Sequence, residues 1–328
     1  MSIPRSAVGE IVAPVTDGLA RVNDILRAQL TEDSGAVRDM TGHVGRFRGK
    51  QLRAALVLLS GDATGNATDE HAAVAAIVEM IHLATLVHDD ILDGAEVRRR
   101  VACVNQRWDN QIAVLLGDFL YARAFALSTE LSSRLCSRVL AETTRRLCVG
   151  EIEQSTRRYD FELPQETYEN ISGAKTASLY AAACELGARY PGGNEEVGKE
   201  LWTFGWNLGL AFQIVDDCLD VVGSEATVGK TLGQDVEDGK VTLPVLFTYQ
   251  QADDALRARI RDVFTAPGIE HRAARLREVC DLAPGVEYAM SRARALADDA
   301  KARLAALAPS RAKQSLEATA EFVLARNW

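Results

Sequence analysis

The stretch AAVAAIVEMIHLATLVHDDILD, residues 72–93, joins a long apolar run to three aspartates. The run is apolar on nearly all sides of a helix, which predicts a helix over 71–93 in the centre of a bundle. It is too short and too polar at its end to cross a bilayer, so we expect no transmembrane segment. Asp89, Asp90 and Asp93 therefore end a core helix, where unpaired carboxylates are costly.

A second copy of this pattern lies downstream, in FQIVDDCLD at 212–220, at the end of an apolar helix predicted over 201–222. Helical positions i and i+4 share a face, so Asp216 and Asp220 point together, as do the first and last aspartates of the earlier motif. Asp217, like Asp90, lies about 100° around its helix. The repeat predicts two central helices that face each other with carboxylates at one end.

These carboxylates predict a cation site. The candidate ligands are all oxygen atoms, which indicates a hard ion, and two carboxylates per side with open positions suit Mg²⁺ bound together with substrate phosphates. Arginine and lysine, the side chains that bind phosphate, gather around both motifs. The basic residues are Lys50, Arg53, Arg98, Arg99, Arg100, Lys175, Lys230 and Lys240.

The rest of the chain predicts one all-helical domain over residues 1–328, with ten or more helices. A net charge of −9 disfavours a nucleic-acid partner. The six cysteines are scattered without a CxxC pair, and no signal peptide precedes the first helix, so we expect a cytoplasmic protein. Gly, Pro and polar residues predict loops at 61–69, 189–196, 223–240 and 265–268.

Together these motifs resemble the polyprenyl diphosphate synthase family, the trans-type prenyltransferases. The resemblance implies an all-α, isoprenoid-synthase-type helical bundle around a central channel, and a homodimer. It implies condensation of isopentenyl diphosphate with an allylic diphosphate, with release of diphosphate. The matching segments are GKQLR (49–53), EMIHLATLVHDDILD (79–93), VRR (97–99), GDFLYARAF (117–125), GEIEQ (150–154), KTA (175–177), FQIVDDCLD (212–220), GKTLGQD (229–235) and EDGKVTLP (237–244).

The resemblance also implies a role for each motif residue. Three Mg²⁺ ions per active site would be held by Asp89, Asp93 and Asp216, with Asp90, Asp217 and Asp220 behind them. The allylic diphosphate would bind Arg98, Lys175, Lys230 and Lys240. Isopentenyl diphosphate would bind Lys50, Arg53, His82 and Arg99. Thr176 and Gln213 would face the allylic carbon.

Three positions depart from the family pattern. Arg100 stands where the family usually has glycine, which puts the conformation of that loop in question. Ala54 and Ala102 stand where the family often has proline.

Product length depends on the depth of the channel. Ala84 lies five residues before Asp89, about 7.5 Å deeper along the helix axis, with Thr85 beside it. In the family a bulky aromatic near this depth stops growth at short products, and Phe125 aligns with a residue that closes the channel deeper. Alanine leaves this depth of the channel open. It therefore predicts a long product, of about thirty carbons or more by counting the open positions along the helix, unless Ala84 only packs against a neighbouring side chain.

Several alternatives remain open. Within the family, a short-chain synthase making C15–C20 products and a non-catalytic subunit of a two-component synthase are alternatives. A class I terpene cyclase would share the fold and the first motif, but it does not need an isopentenyl diphosphate site. His88-Asp89 also suggests an HD-type hydrolase, and Glu79-x-x-His82 suggests a di-iron site, but neither accounts for the second motif.

Overall fold

The computed structural model of the protein describes residues 5–47, 49–98, 101–222, 233–269 and 271–325, and within these ranges the chain is almost entirely helical. The all-α prediction is confirmed. The α-helices of these ranges are α1 (Arg5–Val12), α2 (Thr16–Gln29), α3 (Gly35–Val44), α4 (Leu52–Thr64), α5 (His71–Leu92), α6 (Val104–Arg107), α7 (Asn110–Glu130), α8 (Leu135–Thr156), α9 (Gln165–Ser172), α10 (Ser178–Arg189), α11 (Glu195–Val222), α12 (Gln234–Glu237), α13 (Leu243–Gln251), α14 (Asp254–Thr265), α15 (Arg272–Val279), α16 (Ala283–Arg303) and α17 (Arg311–Leu324).

Shorter elements connect these helices. Three 3₁₀ turns occupy Ala13–Val15, Gly45–Phe47 and Leu304–Ala306, and a π-turn occupies Gly173–Ala177 between α9 and α10. An unpredicted two-stranded antiparallel ribbon pairs β1 (Val97–Arg98) with β2 (Val101–Ala102). Its two-residue strands are too short to produce an alternating pattern in the sequence.

The centre of the bundle is formed by α4, α5, α10 and α11, whose side chains are largely buried. α10 packs mainly against α11 and α4 and also touches α5, while α5 packs mainly against α7. The two helices that end in aspartates therefore belong to one core, with α10 as a shared neighbour. Each is longer than the roughly 11 residues typical of globular proteins, and each has its aspartates at its C-terminal end.

Two helix boundaries differ from the sequence prediction. α4 continues to Thr64 and ends at Gly65, whose φ of 67° stops the helix, so the predicted loop at 61–69 starts late. α11 starts at Glu195 because Oδ1 of Asn194 accepts hydrogen bonds from the backbone N–H groups of Glu196 and Val197. Of the predicted loop at 223–240, residues 223–232 lie outside the described residues, and α12 occupies part of the remainder.

Two helices of the described chain, α5 and α7, are long and apolar enough to cross a membrane. In the most apolar window of α5, 72% is buried, which supports the prediction of a core helix. The corresponding window of α7 is only 33% buried, and Val114 and Leu115 are exposed there. α7 thus presents an apolar face that the other described residues do not cover.

Candidate active site

The first motif places one carboxylate at the last turn of α5 and another at its cap. Asp89 is half-buried, and Asp93 caps the helix through its backbone N–H, which donates to the carbonyl of Asp89 at 2.8 Å. Burial raises the pKa of Asp89 to about 6, against the opposing effect of Lys175 and with reinforcement from Glu151. The site therefore holds a carboxylate that a nearby cation would stabilise in its charged form.

Asp90 is directed differently and is only 1% exposed. Arg98 donates from Nε and from a terminal guanidinium nitrogen to its Oδ1, each at 2.6 Å. The side-chain amide of Asn105 donates to the carbonyl oxygens of Asp90 and Ala95, both at 3.3 Å. Asp90 therefore anchors the segment that follows α5, and Arg98, predicted to bind the allylic diphosphate, is paired with it.

In the second motif, Asp216 is half-buried, whereas Asp217 and Asp220 are buried. The hydroxyl of Tyr168 donates to Oδ2 of Asp217 at 2.5 Å, and Nε2 of Gln213 donates to Oδ1 at 2.7 Å. Burial raises the pKa of Asp217 to about 7, although these two hydrogen bonds act in the opposite direction. Asp217 therefore fixes the side chain of Gln213.

Asp220 anchors the chain that returns to the site before α12. Its Oδ2 accepts the backbone N–H of Asp235 at 3.1 Å, and its carbonyl accepts the backbone N–H of Gly233 at 3.0 Å. Like Asp90, it holds backbone that follows its helix in the chain, and its place behind the metal ligands stays a prediction.

Lys175 and Thr176 lie on the π-turn and reach opposite neighbours. Nζ of Lys175 lies 2.6 Å from Oε2 of Glu151 and donates to Oε1 of Gln154 at 2.9 Å. The hydroxyl of Thr176 donates to Oε1 of Gln213 at 2.8 Å. Burial acts to lower the pKa of Lys175, but Asp89 and Glu151 raise it above its ordinary value, so the lysine is held as a cation.

Lys240 connects the two sides of the site. Its Nζ lies 2.9 Å from Oδ1 of Asp93, 3.1 Å from Oδ2 of Asp238 and 3.9 Å from Oδ1 of Asp235. Burial acts to lower the pKa of Lys240, but these carboxylates raise it well above its usual range. Lys240, predicted to bind diphosphate, thus contacts Asp93, predicted to bind metal.

The residues predicted for isopentenyl diphosphate lie at the start of α4 and on α5. The ammonium of Lys50 stands 4.8 Å from the ring centroid of Phe322 in α17, and the guanidinium of Arg53 lies 4.4 Å from that of Tyr180. The buried Nε of Arg53 has no hydrogen-bond partner within the described ranges. His82 is half-buried on α5.

Three predicted residues, Arg99, Arg100 and Lys230, lie outside the described residues. The sequence reasoning in turn gave no role to Glu151 and Gln154, although GEIEQ was among the matching segments. Their i, i+3 spacing on α8 puts both on one face, which was a usable signal. Tyr168 had no comparable signal, because only the tertiary fold brings it to Asp217.

The donor set fits a hard divalent cation that is shared with a substrate. Asp89, Asp93 and Asp216 offer only carboxylate oxygens, and each is half-buried rather than sealed. Within the described ranges, no three His, Cys, Asp or Glu side chains are close enough to hold an ion by themselves. Oxygens from a bound phosphate group would complete such a site.

The three residues predicted to set product length lie in different surroundings. Ala84 is fully buried in a small apolar cluster with Leu116 and Leu120 of α7. Thr85 is half-buried, and its hydroxyl donates to the carbonyl of His82 at 2.8 Å, within its own helix. Phe125 is partly buried against the main core. Of the two α5 positions, Thr85 is thus the more accessible.

Comparisons with known proteins identify the family of this chain. A family model described as polyprenyl synthetase matches residues 35–281. The chain belongs to this family. Heptaprenyl diphosphate synthase component 2 of Geobacillus stearothermophilus is 37% identical over 79% of this chain and 81% of its own. All-trans-nonaprenyl-diphosphate synthase (geranyl-diphosphate specific) of Rhodobacter capsulatus is 36% identical over 77% of this chain and 78% of its own.

The polyprenyl synthetase fold is equally clear from solved structures. A polyprenyl synthase from Caulobacter crescentus, complexed with calcium and isoprenyl diphosphate, superposes with a TM-score of 0.92 and 33% identity, covering 97% of this chain and 98% of its own. The resemblance inferred from the motifs is confirmed, and membership makes the protein a prenyltransferase.

Proposed function

We propose that this protein is a Mg²⁺-dependent prenyltransferase that condenses isopentenyl diphosphate with an allylic diphosphate, releasing diphosphate and forming a long all-trans polyprenyl diphosphate. The observation that carries the proposal is the convergence of two aspartate motifs with Lys175 and Lys240. Carboxylates and fixed ammonium groups in one half-buried site suit a doubly charged metal and a diphosphate bound together.

Charge stabilisation of the leaving diphosphate is the main task of the site. Asp89, Asp93 and Asp216 would hold the metal ions, three by the family resemblance, and bound Mg²⁺ would neutralise the negative charge that develops on the diphosphate. Lys175 and Lys240 add fixed positive charges that need no rearrangement during the reaction. Breaking the allylic C–O bond leaves the electron pair on the diphosphate oxygen.

The remaining residues handle the carbon chemistry. Thr176 and Gln213 form one hydrogen-bonded pair whose oxygen atoms can face the allylic cation. Lys50, Arg53 and His82 would hold isopentenyl diphosphate so that its double bond attacks that carbon. The new C–C bond consumes the double-bond electrons, and the released diphosphate accepts the proton that is lost.

A long product is supported by two observations. The relatives above carry heptaprenyl and nonaprenyl names. On α5 no aromatic residue stands at position 84 or 85, and Thr85 is only half-buried. A product of about thirty carbons or more, from the depth of these positions, is therefore part of the proposal.

A homodimer in the cytoplasm completes the proposal. The exposed apolar side chains Val114 and Leu115 of α7 and Val149 and Ile152 of α8 offer a surface for a second copy. All six cysteines are free thiols, which supports a reducing compartment.

A role as one subunit of a two-component synthase is the second candidate. It is favoured by the name component 2 of the Geobacillus relative. Against a non-catalytic subunit stands the retention of all six motif aspartates in this chain.

Turnover of the purified chain tests these proposals directly. The protein is incubated with Mg²⁺, isopentenyl diphosphate and farnesyl diphosphate, and the products are read by mass spectrometry, with chelator and Asp89→Asn as controls. Products well above twenty carbons, lost with chelator, are expected. Products that end at fifteen or twenty carbons would contradict the long-chain assignment, and no turnover with any allylic starter would favour the partner-dependent subunit.

A further inference from the structure

The π-turn Gly173–Ala177 interrupts what would otherwise be one continuous helix from α9 to α10. Such turns are rare, and they occur often at functional sites because the extra residue re-aims the side chains around it. Here the re-aimed side chains include Lys175, which contacts α8, and Thr176, which contacts α11. The turn thus joins the two walls of the site.

Two glycines let the flanking helices approach the backbone of this turn. A Cβ on Gly150 of α8 would lie 2.7 Å from the backbone nitrogen of Lys175 and 2.8 Å from Cβ of Ala174. A Cβ on Gly209 of α11 would lie 2.6 Å from Cα of Ala177. Each distance is shorter than a real Cβ contact, so even a methyl group would push the turn away.

A third contact lies at the first residue of the turn. A Cβ on Gly173 would lie 2.3 Å from Cζ2 of Trp206 on α11. That indole is stacked on Trp202, with ring centroids 5.1 Å apart and ring planes 17° apart. Trp206 is thereby packed against a neighbouring indole of its own helix, which limits the directions in which it can yield.

We propose that Gly150, Gly209 and the Gly173–Trp206 contact form a clamp that positions Lys175 and Thr176 for the reaction. The clamp residues are positioning residues, because they touch the turn rather than the substrates, and this inference rests on the proposed function. α8 contacts the turn at Lys175, and α11 contacts it at both ends. Displacement of the turn would move the ammonium of Lys175 relative to α8 and the hydroxyl of Thr176 relative to α11.

The first test compares Gly209→Ala with Gly187→Ala. Gly187 makes an equally close helix contact, since its Cβ would lie 2.2 Å from the carbonyl oxygen of Val57, but it lies ten residues beyond the turn on α10. Both variants should lower Tm. Only Gly209→Ala should also lower kcat, by about tenfold or more, because small misplacements of reacting groups are costly. Equal kcat losses in the two variants, or unchanged kcat in Gly209→Ala, would overturn the clamp.

The second test asks for rescue. Gly173→Ala forces a methyl group against the outer ring of Trp206, and Trp206→Phe removes that ring. The double variant should therefore recover at least part of the kcat that Gly173→Ala loses, whereas independent effects would add. Additive losses would overturn the role of Trp206.

Binding of inorganic diphosphate with Mg²⁺, measured by calorimetry, separates failure of the clamp from failure of the proposed function. A wild-type protein that neither turns over nor binds diphosphate contradicts the function itself. If the wild type turns over and binds diphosphate, the function stands. Equal kcat and equal diphosphate affinity in Gly209→Ala and Gly187→Ala would then contradict only the clamp.

Discussion

Nζ of Lys240 lies 2.9 Å from Oδ1 of Asp93. A lysine predicted to bind diphosphate therefore contacts a carboxylate predicted to bind metal. The lysine side chain is only 9% exposed, and it also neutralises Asp235 and Asp238. One ammonium group therefore lies within 4 Å of three carboxylates from two parts of the chain.

Replacement of this lysine, Lys240→Gln, should lower Tm without metal, because three carboxylates lose their counter-charge. Added Mg²⁺ should then raise Tm more than it does in the wild type, since Asp93 no longer has a competing cation. The KM for the allylic diphosphate should rise. Thermal unfolding with and without Mg²⁺ measures the first two effects. Lys199→Gln, at an exposed ion pair with Glu196, is the control. An Mg²⁺-induced rise equal to that of the wild type would contradict the prediction.

The pairing of Asp90 with Arg98 predicts that Asp90 and Asp89 have different roles. Asp90→Asn should reduce kcat/KM by about tenfold, because a charge-assisted hydrogen-bonded pair is lost, while the Mg²⁺ concentration for half-maximal activity stays unchanged. Asp89→Asn should shift that concentration upward. Activity measured across a Mg²⁺ titration distinguishes them. A shift in Asp90→Asn as large as in Asp89→Asn would make Asp90 a metal ligand after all.

Product length should respond to Thr85 at little cost in stability. Thr85→Phe places an aromatic ring at a half-buried position and should shorten the product, as read by mass spectrometry. Ala84→Phe should also shorten the product, but it inserts the ring into a sealed cluster, where overpacking typically costs about 1–3 kcal/mol. Thr85→Ser is the matched control and should keep the wild-type length. If neither aromatic variant changes the length, the channel does not pass these positions.

The ion pair between Glu169 and Arg292 predicts a pH-dependent contribution to stability. Nε and a terminal nitrogen of Arg292 donate to the two carboxylate oxygens at 2.8 and 2.7 Å, joining α9 to α16. Burial acts to raise the pKa of Glu169, but the hydrogen bonds from Arg292 and Gln165 lower it below the ordinary value of 4.5. The pair therefore stabilises fully above pH 4.5, and this contribution is lost as pH falls through the folded-state pKa.

Glu169→Gln should accordingly lower the free energy of unfolding by about 1 kcal/mol at pH 7, a value discounted for the partial exposure of Arg292. The difference from the wild type should shrink as the pH falls below 4.5. Urea denaturation at a series of pH values measures it, and Glu166→Gln, exposed on the same helix, is the control. A loss that does not depend on pH would assign the effect to packing rather than charge.

The apolar face of α7 and α8 predicts the assembly state. Leu115→Glu combined with Ile152→Glu should convert the proposed homodimer into a monomer, because charges would be buried at its interface. Light scattering after size-exclusion chromatography measures the mass. A dimer that survives this double change forms through another surface, and a wild-type monomer contradicts the homodimer proposal.

The sequence was sufficient for the fold class and for the position of the aspartates, because both depend on local pattern. Apolar helices that end in carboxylates are visible without tertiary information, and α5 and α11 appear nearly where the pattern placed them. The pairing of Lys240 with Asp93 was not visible, because these residues are far apart in the chain. The π-turn was equally hidden. GAKTASLY has the composition of an ordinary helix, and the close contacts of the turn with α8 and α11 come from distant parts of the chain.

Side-chain direction was the other limit. Helical spacing placed Asp216 and Asp220 on one face, yet Asp220 is buried and anchors the chain before α12. Ala84 is fully buried in an apolar cluster with side chains from α7, and its place along a channel stays a prediction. Spacing gives the face of a helix, but the neighbouring helices decide whether that face borders solvent, substrate or core.

The hydrogen-bond chain that links Tyr168, Asp217, Gln213 and Thr176 donates from both ends toward the carboxylate of Asp217. Each group donates to a fixed acceptor: the phenol and the amide nitrogen to the carboxylate, and the threonine hydroxyl to the amide oxygen. Inversion of the amide would set a donor against the threonine proton and an acceptor against the carboxylate. The orientation of Gln213 and Thr176 is thus imposed from the interior, by a tyrosine and an aspartate that fix which amide atom meets the threonine hydroxyl.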